Sequence, residues 1–171
     1  MKKIIFILIL CLFFVSVHAQ NVRQSESYFA KGMVRFKEKD YKGAILDFDK
    51  SIKFNPKEQT FYLRGLCKSF LNDHKGAIAD FNKSIEINPN FENAYYNRGN
   101  SKTKLYDHKG AIEDFDVAIK IDSTDKNAYT NRAVSKIILN QKESGCSDAK
   151  KALELDDKKA LEIIENYCKK K

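Results

Sequence analysis

The chain has 171 residues, with 31 lysines and arginines, 23 aspartates and glutamates, and a formal net charge of +8. Its basic and acidic residues are interleaved, a pattern typical of solvated helix faces that argues against a nucleic-acid-binding surface. With two prolines, seven glycines and no tryptophan, the composition favours helices. We therefore expect an all-α protein that does not bind nucleic acid.

The first 19 residues have the pattern of a secretory signal peptide. A basic start at Lys2 and Lys3 is followed by an uncharged, mostly apolar run over residues 4–17, and Val-His-Ala then precedes Gln20. Such a run is short for a permanent membrane span. We predict cleavage after residue 19, a short N-terminal segment at 20–24, and an exported protein that is periplasmic, secreted or envelope-associated, with no integral membrane span. The alternative is an uncleaved anchor.

A repeated unit occupies most of the remaining chain. Lys-Gly-Ala-Ile begins at Lys42, Lys75 and Lys109, at spacings of 33 and 34 residues. A fixed period of this size predicts stacked helical repeats. Each unit is expected to form two helices joined by a tight turn, and the predicted units are residues 25–57, 58–91, 92–125 and 126–157.

The units share a set of residues that resembles the tetratricopeptide repeat (TPR). An aromatic residue lies near the start of each first helix, at Tyr28, Phe61, Tyr95 and Tyr129. A small residue follows at Gly32, Gly65, Gly99 and Ala133, and another begins the second helix at Ala44, Ala77, Ala111 and Gly145. The resemblance implies a right-handed α-solenoid of four helix-turn-helix units. In the fourth unit Ala149 stands where the others have Phe48, Phe81 and Phe115.

The last apolar face of such a stack needs a cover, because each unit buries only part of its surface without a neighbour. Residues 158–171 are expected to supply it as a capping helix with a lysine tail. The apolar stripe predicted to face the stack consists of Ala160, Leu161, Ile164 and Tyr167.

A basic residue in each first helix precedes an acid in the second helix by 16 residues. Three of these pairs are Arg64–Asp80, Arg98–Asp114 and Arg132–Asp148. In the first unit Lys31 precedes Asp47 by the same interval. Because buried charges need partners, we predict a partly buried salt bridge in each unit. The alternative is that these arginines bind an anionic ligand.

Export makes the cysteines candidates for a disulfide. Cys146 lies early in the second helix of the fourth unit and Cys168 lies late in the capping helix. An antiparallel turn near Asp156 and Asp157 would bring the two together, so we predict this disulfide, with two free thiols as the alternative. Cys67 is expected to be a small buried residue.

No catalytic set is apparent in the sequence. There is no glycine-rich phosphate loop and no serine or cysteine with an evident base partner. His74 and His108 occupy equivalent positions in successive units, so we expect them to lie along one edge of the stack and not to converge on a metal. We predict no enzymatic activity, no cofactor and no metal site.

The TPR resemblance implies that the first helices line a groove that accepts a peptide or another protein. The apolar half of this groove is predicted to contain Phe29, Met33, Phe36, Tyr62, Leu66 and Phe70. The Asn-rich half is predicted to contain Asn93, Tyr96, Asn97, Asn100, Asn127 and Asn131. Such a mix suits an extended segment or a helix with an apolar anchor.

Three other interpretations remain open at this point. The apolar groove residues could be core alone. The chain could be a structural protein that associates with further copies of itself, as a homo-oligomer. Its positive charge could instead bind an anionic envelope surface or glycan.

Overall fold

The computed structural model describes the backbone over residues 2–169 and the side chains over residues 15–169. Its helices are α1 (Lys2–Lys37), α2 (Tyr41–Phe54), α3 (Glu58–Phe70), α4 (His74–Ile87), α5 (Glu92–Lys104), α6 (His108–Ile121), α7 (Lys126–Ile138), α8 (Lys142–Glu154) and α9 (Lys159–Ile163), followed by a π-helical turn, Ile164–Cys168. No strand occurs within residues 2–169. The predicted all-α solenoid of helical hairpins is confirmed.

The first helix extends further towards the N-terminus than one repeat requires. Residues 20–24, predicted as a separate segment, continue α1 without a break, because no proline or glycine interrupts the chain there. Much of the predicted signal segment, residues 1–14, lies outside the residues whose side chains are described. Across the described residues, no helix is long and apolar enough to cross a membrane.

Each pair of helices is joined by the same kind of turn. A left-handed residue follows the first helix, at Lys39, Asn72, Tyr106 and Asn140. In the first three units an aspartate then caps the second helix, as when Asp107 accepts a hydrogen bond from the backbone N–H of Gly110 at 2.9 Å. This cap satisfies an N–H group that has no partner within the helix. In the fourth unit Gln141 makes no such side-chain bond.

A phenylalanine lying over a glycine holds the two helices of each of the first three units together. A Cβ atom on Gly99 would lie only 2.8 Å from Cε1 of Phe115, and Phe115 is fully buried. In the fourth unit Ala133 and Ala149 take these two places. There the close approach moves to Gly145, where a Cβ would lie 2.9 Å from the carbonyl oxygen of Ala133. The fourth unit, which has Ala149 in place of the phenylalanine, thus packs its two helices together through a different close contact.

Buried aspartates in the second helices bind cations from the first helices. Asp114 accepts from Nη2 of Arg98 at 2.5 Å, and its Oδ2 lies 2.9 Å from Nζ of Lys102. Asp80 and Asp148 are paired in the same way, with Arg64 and Lys68 and with Arg132 and Lys136 respectively.

The first unit differs from the predicted pairing. Asp47 forms an ion pair with Arg35, whose Nη1 lies 2.8 Å from its Oδ2, and not with Lys31, whose Nζ lies over the ring of Tyr28. The prediction for Lys31 was therefore wrong. Arg35 is one helical turn further along α1, in the register that Lys68 occupies in α3, and reaches the same carboxylate from there.

The first helices form the inner layer of the stack, since α3, α5, α7 and α9 contact one another in sequence. The C-terminal segment takes the place of a fifth first helix. Thr130 donates to the buried Asp157 at 2.5 Å, and Lys126 donates to the carbonyl oxygen of Asp156 at 3.1 Å. These two contacts hold the start of α9 against α7.

The apolar stripe of the capping segment is only partly buried. Ala160 is fully buried, but Leu161 and Tyr167 are exposed. Leu161 directly follows Ala160 in α9, so a helical rotation of about 100° separates their side chains, and Ala160 is the one that is buried. Tyr167 lies beyond the change from α to π geometry at Ile164, which alters the angle between successive residues. The prediction that all four residues cover the stack was wrong for these two.

Candidate partner-binding groove

The N-terminal part of the inner face is a cluster of partly exposed apolar side chains. Phe70 is 56% exposed, although its ring stacks on Tyr41 with centroids 4.7 Å apart and lies 6.1 Å from the ring of Phe36. Met33 and Leu66 are half-buried against the core beside it. Met33, Phe36 and Leu66 are thus partly exposed side chains packed on the core, with the exposed Phe70 beside Phe36.

Three of the predicted groove aromatics also belong to the scaffold. The rings of Phe29, Tyr62 and Tyr96 each lie about 6 Å from the buried phenylalanine of the same unit, at tilted angles: Phe29–Phe48 6.0 Å, Tyr62–Phe81 5.9 Å and Tyr96–Phe115 6.0 Å. Tyr62 also packs on Phe91 at 4.9 Å. These rings therefore present only part of their surface to the groove.

Hydrogen bonds between neighbouring units cross the middle of the groove. Nδ2 of Asn97 donates to the hydroxyl of Tyr62 at 3.2 Å and to the carbonyl oxygen of Asn93 at 2.8 Å. One unit later, Nδ2 of Asn131 donates to the hydroxyl of Tyr96 at 3.2 Å and to Oδ1 of Asn100 at 2.8 Å. Because an amide has two N–H donors, both of these nitrogens are fully used within the chain.

The inner face therefore exposes a different set of polar groups from the one predicted from the sequence. The amide oxygens of Asn97 and Asn131 can still accept, and the phenol hydrogens can still donate. Burial, with Glu92 nearby, raises the pKa of Tyr62 to about 12, and burial likewise raises the pKa of Tyr96. Both phenols are neutral donors at physiological pH. The side chains of Asn93 and Asn127 are exposed.

One edge of this polar region is acidic. Burial, together with the nearby carboxylates of Asp125 and Asp122, raises the pKa of Glu92 to about 7. Glu92 begins α5, and Asp125 caps α7 by accepting from the N–H of Asn127 at 2.9 Å. The carboxylates thus lie at the junction between the third and fourth units.

The groove does not end at its asparagines, because an apolar cavity of about 270 Å³ follows them. Its lining residues come from α7 and the C-terminal segment: Val134, Ile137, Ile138, Ile163 and Tyr167. None of these residues is in the groove predicted from the sequence. Repeat register contained the signal, because Val134 occupies the position that Met33, Leu66 and Asn100 occupy in the earlier units.

The C-terminal wall of this cavity carries a disulfide. Cys146 of α8 and Cys168 of the π-helical turn are bonded, with their Cα atoms 5.6 Å apart. Cys67 is fully buried, and burial raises the pKa of its thiol to about 12, so it is not a reactive thiol.

No metal-binding cluster of three or more His, Cys, Asp or Glu side chains occurs in the described part of the chain. The inner face presents aromatic, aliphatic and amide groups, which bind by contact and hydrogen bonding.

Comparison with known proteins bears on this architecture. A tetratricopeptide repeat model matches residues 25–58 and 92–125, and a second TPR repeat model matches residues 71–105. No curated protein sequence matches the chain.

Solved structures with the same fold include MamA from Desulfovibrio magneticus RS-1, at a TM-score of 0.75 and 20% identity, over 78% of this chain and 76% of that chain. YrrB, described as a TPR protein with an unusual peptide-binding site, has a TM-score of 0.76 at 22% identity, over 82% and 74% of the two chains. The first TPR domain of Spaghetti (RPAP3), bound to an HSP90 peptide, has a TM-score of 0.68 at 20% identity, over 70% and 95%. Together with the family-model matches, the repeated helical hairpins show that this chain belongs to the tetratricopeptide repeat family.

Proposed function

We propose that this chain is a non-catalytic protein-interaction module that holds an extended segment of a partner protein along its inner face. The observation that carries the proposal is the exposed cluster around Phe70, in which an aromatic ring is held open to solvent by stacking on Tyr41. A contiguous apolar surface on a rigid support is the usual form of a protein-binding site.

The groove dimensions and chemistry favour an extended ligand. Neighbouring packed helices lie about 8–10 Å apart, so the inner face from α1 to α7 spans roughly 27 Å, or about eight extended residues. An apolar side chain of the ligand would lie on the Phe70 cluster. The Asn97 and Asn131 oxygens would accept from its backbone N–H groups, and the phenols of Tyr62 and Tyr96 would donate to its carbonyls.

The family supports an interaction role at a coarser level. YrrB is described with a peptide-binding site and the Spaghetti domain with a bound peptide, although a shared fold does not transfer a ligand.

A displayed library of random peptides about twelve residues long, selected on the full chain, tests the proposal. We expect a consensus with an apolar residue, and we expect Phe70→Asp to abolish the binding of the selected peptides. Leu46→Asp is the matched control, because Leu46 is 61% exposed on α2, outside the inner layer. No consensus on the wild-type chain, or equal binding by Phe70→Asp, would refute groove recognition.

The second part of the proposal is that the module works in the cell envelope after export. The basic and apolar start of the chain supports it, and so does the disulfide, since such bonds persist in oxidising compartments. Mass spectrometry of the native protein should find Gln20 at the N-terminus. A chain that retains residues 1–19 and fractionates with the cytosol would contradict export.

Self-association is a second candidate, favoured by one observation at the N-terminal end of the stack. Val34 is 55% exposed, whereas Cys67, Ser101 and Ser135 in the same register are buried by the preceding unit. A second copy could cover this end of the stack. Light scattering should then give a dimer that Val34→Lys dissociates, and a concentration-independent monomer would exclude it.

A further inference from the structure

The Cys146–Cys168 disulfide lies in the wall of a surface cavity of about 370 Å³, and both cysteines line that cavity. The volume is within the usual range for small-molecule sites, about 300–1,000 Å³. Cys168 is partly exposed, whereas Cys146 is only 9% exposed. A small molecule in this cavity can therefore reach the disulfide of the folded protein, from the side of Cys168.

The other residues that line the cavity are mostly lysines. They are Lys142, Lys150 and Lys169, and the acid beside them is Glu143. The three lysines are exposed and form no ion pair within residues 15–169. The acids of the C-terminal segment, which are not among the lining residues, are Glu162 and Glu165. The cavity thus carries a net positive charge, which attracts anions.

Two of these lysines flank one of the two sulfurs. Lys142 and Lys150 lie four residues before and four residues after Cys146 in α8, and positions four apart are neighbours on one face of a helix. A cation beside a cysteine stabilises its thiolate. A thiol that ionises easily is also the better leaving group in thiol–disulfide exchange. Cys146 is therefore suited to leave, and the more exposed Cys168 to be attacked.

The disulfide is also the covalent tie of a weakly packed segment. Ala160 is the single buried residue between Lys159 and Cys168. Asp157 holds the start of this segment to Thr130, but the far end lies beyond that contact. Opening the disulfide would therefore loosen the far end, which forms one wall of the apolar cavity at the end of the inner face.

We propose that the basic cavity binds a small carboxylate-bearing thiol and that the Cys146–Cys168 disulfide exchanges with it. The ligand thiolate attacks Sγ of Cys168, the bond between the two protein sulfurs breaks, and its electron pair passes to Sγ of Cys146. A second ligand thiolate attacks the ligand sulfur of the mixed disulfide. This step releases the oxidised ligand dimer and leaves both cysteines reduced, as thiolates that take up protons from water. The ligand carboxylate lies against the lysines.

Exchange rates with three thiols of different charge test this proposal. The oxidised full chain is treated with mercaptopropionate, which is anionic, with neutral mercaptoethanol or with cationic cysteamine. Alkylation and peptide mass spectrometry then measure how much Cys146 and Cys168 is reduced. The test variant carries Lys142→Gln, Lys150→Gln and Lys169→Gln. For each thiol, the wild-type rate is divided by the variant rate, which cancels the intrinsic nucleophilicity of that thiol.

We expect this ratio to be about ten or more for the anionic thiol, as for electrostatic attraction of a ligand into a charged cleft. The ratio should fall from the anionic to the neutral and then to the cationic thiol. A control variant makes the same change in net charge at exposed lysines elsewhere, with Lys42→Gln, Lys75→Gln and Lys109→Gln. Its ratio should be close to one for all three thiols.

Three results would overturn the proposal. The first is a ratio that is the same for all three thiols, or the same in the test and control variants. The second is a mixed disulfide, trapped by acid at early times, that carries the ligand on Cys146 instead of Cys168. The third is a rate that does not depend on thiol concentration and equals the rate of global unfolding, because the bond would then react only in the unfolded chain. None of these measurements depends on groove recognition.

Discussion

Asn131 and Tyr96 belong to different repeats, yet the amide nitrogen of Asn131 lies 3.2 Å from the hydroxyl of Tyr96 and donates to it. The pair Asn97 and Tyr62 repeats the contact one unit earlier. The inner face is therefore joined across its units by the same side chains that line the groove. A substitution there changes the contacts between units as well as the surface of the inner face.

Loss of the Tyr96 hydroxyl should destabilise the stack. Tyr96→Phe removes the acceptor of one N–H of Asn131 while keeping the ring that packs on Phe115. We expect a loss of about 1 kcal/mol in the free energy of unfolding, the typical net value of one hydrogen bond, measured by urea denaturation. Tyr106→Phe is the control, because Tyr106 is 86% exposed. Equal effects of the two changes would show that the inter-repeat bond contributes nothing.

Removal of a buried aspartate should cost more. Asp114→Ala leaves the cations of Arg98 and Lys102 facing each other without a carboxylate, and we expect a loss of about 3 kcal/mol. Asp114→Asn keeps an acceptor and should fall between wild type and Ala. The exposed Asp116, paired with Arg132, provides the control, with an expected loss below about 1 kcal/mol. An unchanged melting temperature for Asp114→Ala would mean that the pair is not structural.

A methyl group added at the helix crossing should destabilise the third unit. Gly99→Ala places a Cβ about 2.8 Å from the ring of Phe115, and overpacking of this kind costs about 2 kcal/mol. Higher intrinsic helix propensity works in the opposite direction, by about 1 kcal/mol. The reverse change, Ala133→Gly, tests the fourth unit, where no phenylalanine lies over that site. Calorimetry that finds Gly99→Ala as stable as wild type would refute the close approach.

Stability should fall as pH rises through the titration of Glu92. The folded chain raises the pKa of this carboxyl from 4.5 to about 7, so between these values the folded state binds more protons than the unfolded state. Stability contributed by the protonated form is therefore present below pH 4.5 and lost as pH approaches 7. Glu92→Gln should raise the melting temperature at pH 8 and leave it nearly unchanged at pH 4.

The exposed Glu113 controls for the change in net charge. Glu113→Gln should show no such difference between the two pH values. If both variants respond to pH in the same way, the effect belongs to net charge and not to the burial of Glu92.

The disulfide should stabilise the C-terminal end. Closing a loop between Cys146 and Cys168, separated by 22 residues, contributes about 3 kcal/mol in the chain-entropy description. The double Ser variant should therefore unfold earlier than the oxidised wild type, and hydrogen exchange should be faster in residues 159–168. If hydrogen exchange in the double Ser variant is accelerated equally in all four repeats, the disulfide does not act on that segment alone.

The repeat period is the part of the sequence from which most of the fold can be predicted. Gly99 and Phe115 recur in register, and that register predicts a hairpin because only a glycine leaves room for the ring. The spacing of Arg98 and Asp114 can be read in a similar way, because an antiparallel helix pair brings these two positions together. These relationships lie within one unit and follow from helical geometry, so they can be read from residue spacing.

Relationships between units could not be read in this way. The sequence predicts Asn97 as a groove residue that meets a partner, but its amide nitrogen donates to the hydroxyl of Tyr62 in the preceding unit. Spacing also failed within the first unit, where it pairs Lys31 with Asp47, but Arg35, one turn further along the same helix, reaches that carboxylate. The helical stripe predicts a buried Tyr167, but in the π-helical turn this residue is exposed at the rim of a cavity. Residue spacing gives the positions that can meet. Which of two cations takes one carboxylate, and how the helices of different units stack around Asn97 and Tyr167, is decided by the packing of the whole tertiary structure, which residue spacing does not contain.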